Sequence, residues 1–520
     1  MDRQRRVFLQ GAAQLAALAA GGVACARSDG GAYPFSLGVA SGSPLPHSVI
    51  LWTRVLANPL ADPLNAATVA VAFSVRWEVA EDQAFRHIVA KGAAQALPAL
   101  GHSVHVDVTG LAPGRWYWYR FMLGDAVSPV GRTRTAPAAG DLPSMLRLAV
   151  ASCQHWEFGS YGAHRHIAAA APDLVAFLGD YIYEWGPYRL KHPDQAVRSN
   201  ESLTLADYRA RYAQYKSDAH LQAAHQAAPW IVTWDDHEVA NDYAGERDRQ
   251  GAPAFLARRA AAYQAFYEHM PLRLAQQGQP VFAAFRLFQR YDWGRLARIH
   301  MLDDRQYRAT HACHPAGSVL RRDCAELRDP GRTMLGGEQE AWLAAGLGSS
   351  NARWNLIGQQ TLMAQSTQTR IVKPDDGRFW TDGWDGYPAA RRRLLDAMQK
   401  SGAANPLVLS GDVHTFYAAE LRCDFDKPAS SANPVIATEF CGTSVTSSSR
   451  PQQRTLDYVD MNPHIKYGRS DKRGFMLMEV TPATTTAHFV GLDDVRDAGT
   501  AAAAVASFVV NAGRPGVTRT

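Results

Sequence analysis

Metal-ligating side chains follow the ends of four apolar runs in this sequence of 520 residues. Residues 146–151, 173–178, 230–234 and 406–410 each have the composition of a buried strand. Because ligands bind outside the carboxyl ends of the strands in open α/β sheets, these strand ends predict one shared metal site. The polar residues that the four runs deliver are, in chain order, Cys153, Asp180, Tyr183, Asp235, Asp236, His237, Asp412 and His414.

Three of these residues suit a trivalent or easily oxidised ion. Asp180 can bridge two metals because a carboxylate has two oxygens, and Gly179 lets the backbone turn sharply before it. Cys153 as a thiolate and Tyr183 as a phenolate are strong anionic donors. The residues after the first two strands therefore predict a binding site for one such ion.

The other strand ends offer oxygen ligands of the kind that Ca²⁺ or Mg²⁺ prefers. Asp235 and Asp236 supply carboxylates, and Asn241 supplies a neutral amide oxygen. Asp412 and His414 are two residues apart, so on an extended segment both side chains would point to the same side. These residues predict a second, harder cation beside the first.

His237 adjoins the carboxylates and is the natural proton donor to a leaving oxygen. Each short fragment, taken alone, is more often a turn or a structural hydrogen bond than a ligand set. The complete order of Cys, Asp-x-x-Tyr, Asp-Asp-His-Glu and Gly-Asp-x-His on strand ends is much harder to obtain by accident. The order as a whole therefore favours a functional metal site.

The composition describes a globular protein of more than one domain. Hydrophobic residues make up 47% of the chain, with 41 Gly and 28 Pro, which excludes a fibrous or disordered protein. A chain of 520 residues is too long for one ordinary core, so two domains are expected. Lys and Arg number 54 against 49 Asp and Glu, and no run of five basic residues occurs, so no nucleic acid-specific binding is predicted.

The first domain is predicted over residues 33–137 as a small all-β sandwich of the immunoglobulin or fibronectin kind. Segments 69–79, 102–108 and 116–121 are strand-like in composition or alternation. A Pro/Ala/Gly-rich link over residues 135–140 separates this domain from the rest of the chain.

The second domain is predicted over residues 145–497, where strands alternate with helical stretches in the α/β pattern. An Ala-rich tail over residues 498–520 carries little pattern and is expected to fray. The predicted helical stretches are 203–227, 254–269 and 389–400, and the late strands are 474–481 and 485–492.

Residues 1–26 are similar to a bacterial twin-arginine (Tat) export signal. Arg5 and Arg6 precede a weakly apolar run over residues 11–20, although an amphipathic helix with two chance arginines is an alternative. Cleavage at the A-x-A pattern around Cys25 would release a soluble protein, whereas the partial lipobox before Cys25 would leave a lipid anchor. No other segment approaches 18 apolar residues, so no transmembrane segment is expected in the mature chain. The Tat machinery is therefore an expected partner, and the protein is expected to be periplasmic or secreted.

The six cysteines divide by position. One, Cys25, belongs to the export signal. Two pairs flank polar loops and could form disulfides after export, namely Cys313 with Cys324 and Cys423 with Cys441. Cys153 is then left unpaired at a strand end, where it is either a metal ligand or an inert buried thiol.

The order of the strand-end residues resembles the binuclear metallophosphatase plan, with four departures. Cys153 replaces the usual first Asp-x-His, Tyr183 follows the bridging aspartate, and Asp236 and Asp412 stand where Asn and His are usual. With these departures the chain resembles the PhoD-like alkaline phosphatases, the alkaline phosphatase D family, in which a Tat signal is also usual. The resemblance covers nearly the whole chain, and its motifs lie at residues 33–42, 49–54, 151–154, 178–184, 234–238 and 410–414.

The resemblance implies an exported phosphoesterase that carries Fe³⁺ and Ca²⁺, with other divalent ions as alternatives. Its fold would be an α/β (α+β) metallophosphatase-like sandwich of mixed sheets flanked by helices, preceded by the all-β domain. Small phosphate mono- and diesters would be hydrolysed by in-line attack of a metal-activated hydroxide. The implied iron ligands are Cys153, Asp180, Tyr183 and His414, and the implied calcium ligands are Asp180, Asp235 or Asp236, Asn241 and Asp412, with His237 near the substrate.

Two further polar groups end strand-like runs. Arg305 could clamp a phosphate through two hydrogen bonds, but because two aspartates precede it, it is equally well interpreted as a salt-bridged surface residue. Gln359 and Gln360 could support the ligands or act in structure alone. The long loops 184–201 and 365–387 could shape or cover the site, and Trp380, Trp384 and Tyr387 make the second loop apolar enough to pack.

Two other functions stay open at this point. One is a phospholipase D-like phosphodiesterase, because the resembled family also contains such members. The other is a surface binding protein that a metal merely stabilises, a function favoured by the sandwich domain. A structural metal site needs no adjacent proton donor, so the position of His237 argues against the second alternative.

Overall fold

The computed structural model describes residues 33–56, 71–187, 200–273, 282–313, 317–373 and 376–520. The predicted export signal, with Cys25, lies outside these residues, as does most of the loop between Glu184 and Glu201. No helix in the described ranges is long and apolar enough to cross a membrane.

The described residues form seven α-helices, most of which follow the predicted helical stretches. The predicted stretch 203–227 is two helices, because Asp218 caps the second one by accepting a hydrogen bond from the backbone N–H of Leu221 at 2.9 Å. The helices are α1 Gly162–Ala169, α2 Leu205–Lys216, α3 Ala219–Ala227, α4 Phe255–His269, α5 Gly336–Gly348, α6 Pro388–Ser401 and α7 Gln452–Met461.

The strands of the described ranges run through the whole chain. The first eight are β1 Val39–Leu45, β2 Ser48–Arg54, β3 Phe73–Ala80, β4 Ile88–Ala96, β5 Ser103–Thr109, β6 Trp116–Leu123, β7 Ala126–Val127 and β8 Gly131–Arg134. The next eight are β9 Leu146–Ala151, β10 Leu174–Phe177, β11 Trp230–Val232, β12 Gln289–Trp293, β13 Ala297–Met301, β14 Val319–Arg321, β15 Trp354–Gly358 and β16 Arg378–Trp380. The last eight are β17 Pro406–Ser410, β18 Phe416–Leu421, β19 Ala437–Cys441, β20 Ile465–Arg469, β21 Gly474–Val480, β22 Thr484–Leu492, β23 Ala502–Asn511 and β24 Arg514–Arg519.

Two large mixed sheets carry the strand ends that the sequence singles out. The first has the order β24-β23-β22-β21-β9-β10-β11-β1-β2-β5, and its parallel centre is β9, β10 and β11. The second has the order β12-β13-β15-β17-β19-β18-β20, with β13, β15, β17 and β19 parallel. A parallel strand that is covered on both faces needs a continuous apolar run, which explains why β10 is buried along its whole length.

The two sheets pack face to face, with helices on their outer faces. Alternate residues of one strand serve different layers: Leu174 faces the second sheet across a shared core, whereas Val175 faces helices α1 to α4. On the other side, Leu407 joins the shared core and Val408 packs with α5 and α6. The protein therefore has mixed sheets with helices on the outside, as the sequence predicts.

The N-terminal part is all-β, but one of its sheets is continuous with the first large sheet. Strands β1, β2 and β5 pack against a smaller sheet of β3, β4, β6, β7 and β8 around a common apolar core. Strand β1 also pairs in parallel with β11 at Gly42 and Trp230. A Cβ at Gly42 would lie 2.6 Å from the carbonyl oxygen of Trp230, so this junction requires glycine. The link at residues 135–140 is thus not a break between two separate sheets.

The expectation that residues 498–520 fray is wrong, because they form strands β23 and β24 of the first large sheet. Strand β23 pairs antiparallel with β22 along its length, from Thr484 opposite Asn511 to Leu492 opposite Ala502. The buried residues alternate, as Ala506, Phe508 and Val510. The small side chains of this segment hide a normal period-two pattern.

One of the two possible disulfides forms. Cys313 and Cys324 are bonded, whereas Cys423 and Cys441 are free thiols. The second pairing is wrong because β18 and β19 are antiparallel: Cys441 lies opposite Tyr417, six residues before Cys423. Six residues of strand span roughly 20 Å, far beyond the reach of a disulfide.

Candidate metal centre

The predicted residues meet at the carboxyl ends of β9, β10, β11 and β17, and the backbone there is strained. Cys153, Asp180, Asp412 and His414 all have positive φ, between 53° and 61°. This left-handed conformation costs a residue other than glycine about 1–2 kcal/mol, and such strain concentrates at functional sites. The expectation of an extended segment from Asp412 to His414 is wrong, because the chain bends tightly there.

Gly179 makes the closest of these approaches possible. Its φ is +103°, and a Cβ at this position would lie 2.5 Å from the Cβ of Asp235. The predicted need for glycine before Asp180 is therefore confirmed. Without it, the ends of β10 and β11 could not bring their carboxylates together.

The first cluster contains the residues implied as iron ligands. The ligand atoms of Cys153, Asp180 and His414 lie within 4.8 Å of one another. The hydroxyl of Tyr183 is 2.8 Å from Oδ2 of Asp180 and 3.3 Å from Nε2 of His414. The hydroxyl of Ser447 donates to the Tyr183 oxygen at 2.7 Å. Four predicted ligands from three strand ends thus share one location.

The second cluster is built from carboxylates. Ligand oxygens of Asp235, Asp236 and Asp412 lie within 4.8 Å of one another, and Asp236 also joins a group with Asp180 and His237. One buried carboxylate oxygen in each of four aspartates forms no hydrogen bond with any described residue, and these aspartates are Asp180, Asp235, Asp236 and Asp412. Unpartnered buried oxygens are costly, and their convergence calls for a cation.

Without a cation, burial in this cluster disfavours the ionised forms of Asp180, Asp412 and Cys153. Burial raises the pKa of Asp412 to about 7 and the pKa of Asp180 well above its ordinary value. Burial, together with the nearby Asp180 carboxylate, also raises the pKa of the Cys153 thiol well above its usual range. A bound cation reverses this balance because it stabilises the ionised forms of its ligands. The donor set therefore fits a metal centre.

His414 is prepared as a neutral ligand. Its Nδ1 lies 2.8 Å from the carbonyl oxygen of Ser448, which can only accept, so Nδ1 carries the proton and Nε2 faces the cluster unprotonated. A hydrogen bond of this kind fixes both the tautomer and the ring orientation of a metal-ligating histidine. Loss of hydration also lowers the pKa of His414 to about 3.

His237 has the opposite electrostatic setting. Its Nδ1 is 2.7 Å from Oε2 of Glu184. Burial opposes the charged form, but the carboxylates of Glu184, Asp236 and Asp180 outweigh burial and raise the pKa of His237 well above its ordinary value. Since Nδ1 is held by Glu184, Nε2 is the ring nitrogen left to donate a proton, and His237 keeps 7% of its surface exposed. This is the arrangement of a proton donor.

The interpretation of Arg305 as a salt-bridged surface residue is wrong, whereas its role as a phosphate clamp stays a prediction. It is fully buried, its Nε donates to Asp235 and its Nη1 donates to Asp382. Its Nη2 lies 3.7 Å from carboxylate oxygens of both Asp236 and Asp412. The guanidinium faces the carboxylates rather than the outside, so Arg305 positions Asp235 and offsets part of the negative charge.

Comparison with known proteins decides the family. The family model described as PhoD-like phosphatase matches residues 148–489, and the model for the N-terminal domain of PhoD-like phosphatases matches residues 22–137. Alkaline phosphatase D of Bacillus subtilis (strain 168) is 43% identical over 532 residues, which cover 99% of this chain and 88% of that protein. The chain belongs to the PhoD-like phosphatase family.

A solved structure agrees with this assignment. The structure of PhoD matches with a TM-score of 0.87 and 42% identity over 95% of this chain and 93% of that chain. As a PhoD-like phosphatase, the protein is a phosphoric ester hydrolase. The predicted family and enzyme class are both confirmed.

Several residues that shape the site of this PhoD-like phosphatase were not predicted. Glu184 holds His237 and also accepts the backbone N–H of Asn241 at 2.8 Å. Glu238 accepts the backbone N–H groups of Asp180 at 3.0 Å, Tyr181 at 2.6 Å and Asp235 at 2.8 Å, so it ties the ends of β10 and β11 together. Glu184 lies in the motif at residues 178–184 and Glu238 in the motif at residues 234–238. Nothing in either motif indicates which backbone groups the glutamate binds.

The loop over residues 365–387 supports the candidate metal centre through a buried aspartate, Asp382. Trp384 and Tyr387 are buried, as their apolar character predicts. Asp382 accepts hydrogen bonds from Arg305, from Arg308 at 2.7 Å and from His311 at 2.7 Å. The loop therefore supports the carboxylate cluster through Arg305.

The two glutamines are fully buried beside the phosphatase site. Nε2 of Gln360 donates to the carbonyl oxygens of Trp234 at 2.7 Å and Leu302 at 3.0 Å, and its Oε1 accepts the backbone N–H of Asp304 at 3.1 Å. Gln359 accepts from the indole of Trp384 at 2.9 Å. Gln360 joins the first large sheet to the second, and Gln359 anchors the loop that carries Asp382.

Proposed function

We propose that this protein is an exported, metal-dependent phosphoesterase that hydrolyses phosphate mono- and diesters. The observation that carries the proposal is the convergence of unpartnered oxygens from Asp180, Asp235, Asp236 and Asp412 beside the Cys153 thiol. In their ionised forms, buried carboxylates this close together need cations to offset their charge. The packed pair of sheets would then be the metallophosphatase-like sandwich that the motif order implies.

The chemistry of the donors supports two different ions. Cys153, Asp180, Tyr183 and His414 would hold Fe³⁺, because a thiolate and a phenolate suit a ferric ion. Asp180, Asp236, Asn241 and Asp412 would hold Ca²⁺, which prefers oxygen ligands. Asp236 is favoured over Asp235 because it belongs to three of the ligand groups, whereas Asp235 is held by Arg305. Asn241 is half-buried, and its backbone N–H donates to Glu184 at 2.8 Å.

The residues of the chain have separate tasks in hydrolysis. Bound cations would supply an activated water and would neutralise charge that develops on the phosphoryl oxygens. Protonated His237 donates its Nε2 proton to the oxygen of the leaving alcohol. Glu184 keeps the His237 ring oriented and charged, and Arg305 keeps Asp235 in place. Ser447 holds the Tyr183 oxygen toward the cluster.

Export by the Tat pathway is part of the proposal, with the periplasm or the outside of the cell as the destination. The twin arginines Arg5 and Arg6 support it, and so does the bond between Cys313 and Cys324, since disulfides persist in oxidising compartments. A lipid anchor on Cys25 is the alternative to a cleaved, soluble product.

Substitution of Asp180 tests the function. We expect Asp180→Ala to lower hydrolysis of an aryl phosphate monoester and of a bis-aryl diester by more than about 100-fold, because Asp180 would be a ligand of both cations. The exposed Asp125 is a matched control, and Asp125→Ala should keep full activity. Full activity of purified, folded Asp180→Ala would contradict the assigned site.

A further inference from the structure

An aromatic cluster lies against the candidate proton donor. The ring of Trp185 meets the ring of His237 edge to face, with 4.4 Å between centroids, and lies 5.9 Å from the ring of Tyr183. Next to it, His155 packs on Tyr183 at 4.5 Å and stacks with Phe158 at 4.2 Å. The five rings form one continuous packed cluster that includes the candidate ligand Tyr183.

The cluster has an inner and an outer layer. His155, Tyr183 and His237 are buried. Trp185 and Phe158, which we call the aromatic rim, are only half-buried and keep part of their ring surface accessible. Half-exposed aromatic rings beside convergent polar groups are characteristic of small-molecule sites. The inner layer is thus packing, whereas the rim can contact a ligand.

The rim is held in place before any ligand arrives. The buried Arg211 donates from Nη1 to the backbone carbonyl oxygens of both Tyr183 and Trp185, and from Nη2 to that of Asn200 at 3.0 Å. Phe158 ends a single turn of 3₁₀ helix that His155 caps by accepting the backbone N–H of Glu157 at 3.2 Å. A rigid ring loses little entropy when it binds.

We infer that the aromatic rim binds the organic group of the phosphate ester and favours esters whose organic group carries a flat ring, such as an aryl group or a nucleobase. This inference rests on the proposed function. His237 contacts the rings of Tyr183 at 4.2 Å and Trp185 at 4.4 Å between centroids, and of these two Trp185 is the half-buried one. If His237 protonates the leaving oxygen, the carbon group on that oxygen therefore lies close to Trp185. An aromatic face stabilises a flat ring by stacking, beyond the burial of area.

Non-hydrolysable ligands isolate this effect. Benzylphosphonate and cyclohexylmethylphosphonate carry the same charged group and rings of similar size, but only the first ring is flat and aromatic. By calorimetric titration of the metal-loaded protein, we expect benzylphosphonate to bind about 2- to 10-fold more tightly, the range for one aromatic pair. In Trp185→Leu the two affinities should become nearly equal, whereas Trp185→Phe should keep the preference.

A matched control and a second variant guard against a general loss of structure. Trp342 is also half-buried but packs on Phe288 and Arg290 away from the cluster, so Trp342→Leu should keep the wild-type ratio of affinities. Phe158→Leu changes the other rim residue and should lower the ratio as well. Circular dichroism establishes that each variant is folded.

Three results would overturn the inference. Equal affinities in the wild type would show that the rim does not recognise a flat ring. An equal loss for both phosphonates in Trp185→Leu would show that Trp185 only supports the His237 ring. If neither phosphonate binds the wild type, the phosphoester site itself is wrong and the rim subsite falls with it, a result distinct from the first two.

Discussion

The contact between Glu184 and His237 gives the sharpest prediction about catalysis. Each oxygen of the Glu184 carboxylate has one partner: Oε2 faces Nδ1 of His237 at 2.7 Å, and Oε1 accepts the backbone N–H of Asn241 at 2.8 Å. In Glu184→Gln, one of these positions becomes an NH₂ group that can only donate. When His237 is protonated, both Nδ1 of His237 and the N–H of Asn241 donate, so the single amide oxygen can accept from one of them but not from both.

The expected loss follows from one charge-assisted hydrogen bond. Such a bond contributes about 1.5–3 kcal/mol, and about 1.36 kcal/mol corresponds to a factor of ten. If the bond acts fully in the transition state, Glu184→Gln lowers kcat by about 10- to 150-fold. The loss should be largest for a poor leaving group, because a poor leaving group depends on the proton from His237.

Steady-state kinetics with two substrates tests this reasoning. Benzyl phosphate has a poor leaving group and should show the full loss of kcat. The 4-nitrophenolate of 4-nitrophenyl phosphate can leave without a proton, so the loss of kcat on that substrate should be smaller. The control is Glu479→Gln, a half-exposed carboxylate whose partner is Arg147 at 3.5 Å, and it should have no effect. Equal losses on both substrates would refute the role of His237 as proton donor.

Three further predictions concern stability. Replacing Cys313 and Cys324 by Ser opens a short loop and should lower the free energy of unfolding by about 2–3 kcal/mol in urea titrations; an unchanged midpoint would contradict it. Asp382→Asn should cost about 3–5 kcal/mol at pH 7 by breaking buried ion pairs. Burial opposes the ionised form of Asp382, but its arginine partners outweigh burial and hold its pKa well below the usual value. The ion pairs of Asp382 therefore contribute fully to the free energy of unfolding above a pH of about 4, the ordinary pKa of an aspartate. Below that pH, the difference in free energy of unfolding between wild type and Asp382→Asn should shrink. Gly42→Ala places a Cβ 2.6 Å from a carbonyl oxygen of β11 and should lower the melting temperature, whereas the control Gly337→Ala, in an open helical position, should not.

The convergence of the candidate ligands at one sheet edge was predictable because most of them lie just after a strong local signal. Strands β10 and β11 are apolar runs that are buried along their whole length, and β9 and β17 are buried at every residue but one. The polar residue after such a run must lie at the edge of the sheet, whatever the rest of the fold does. For this reason Cys153 and Asp180 could be assigned without knowledge of the topology.

The supporting residues were not predictable, because their partners are distant in sequence. Arg305 ends a strand next to two aspartates, yet it pairs with Asp235 and Asp382, which lie 70 and 77 residues away. The pairing of Cys423 with Cys441 failed in the same way, since the register of β18 and β19 separates them. Strand β23 was missed because alanine and valine also occupy its exposed and half-exposed positions, which removes the hydropathy contrast between its two faces.

The central claim is that the strand ends hold two different metal ions, and elemental analysis with a visible absorption spectrum tests it most directly. Protein exported by its own Tat-type signal should contain near-stoichiometric iron and calcium. It should also show a thiolate- or phenolate-to-iron charge-transfer band that changes in Cys153→Ser and in Tyr183→Phe. Zinc alone, or no metal and no colour, would contradict the ligand assignment and, with it, the proposed chemistry.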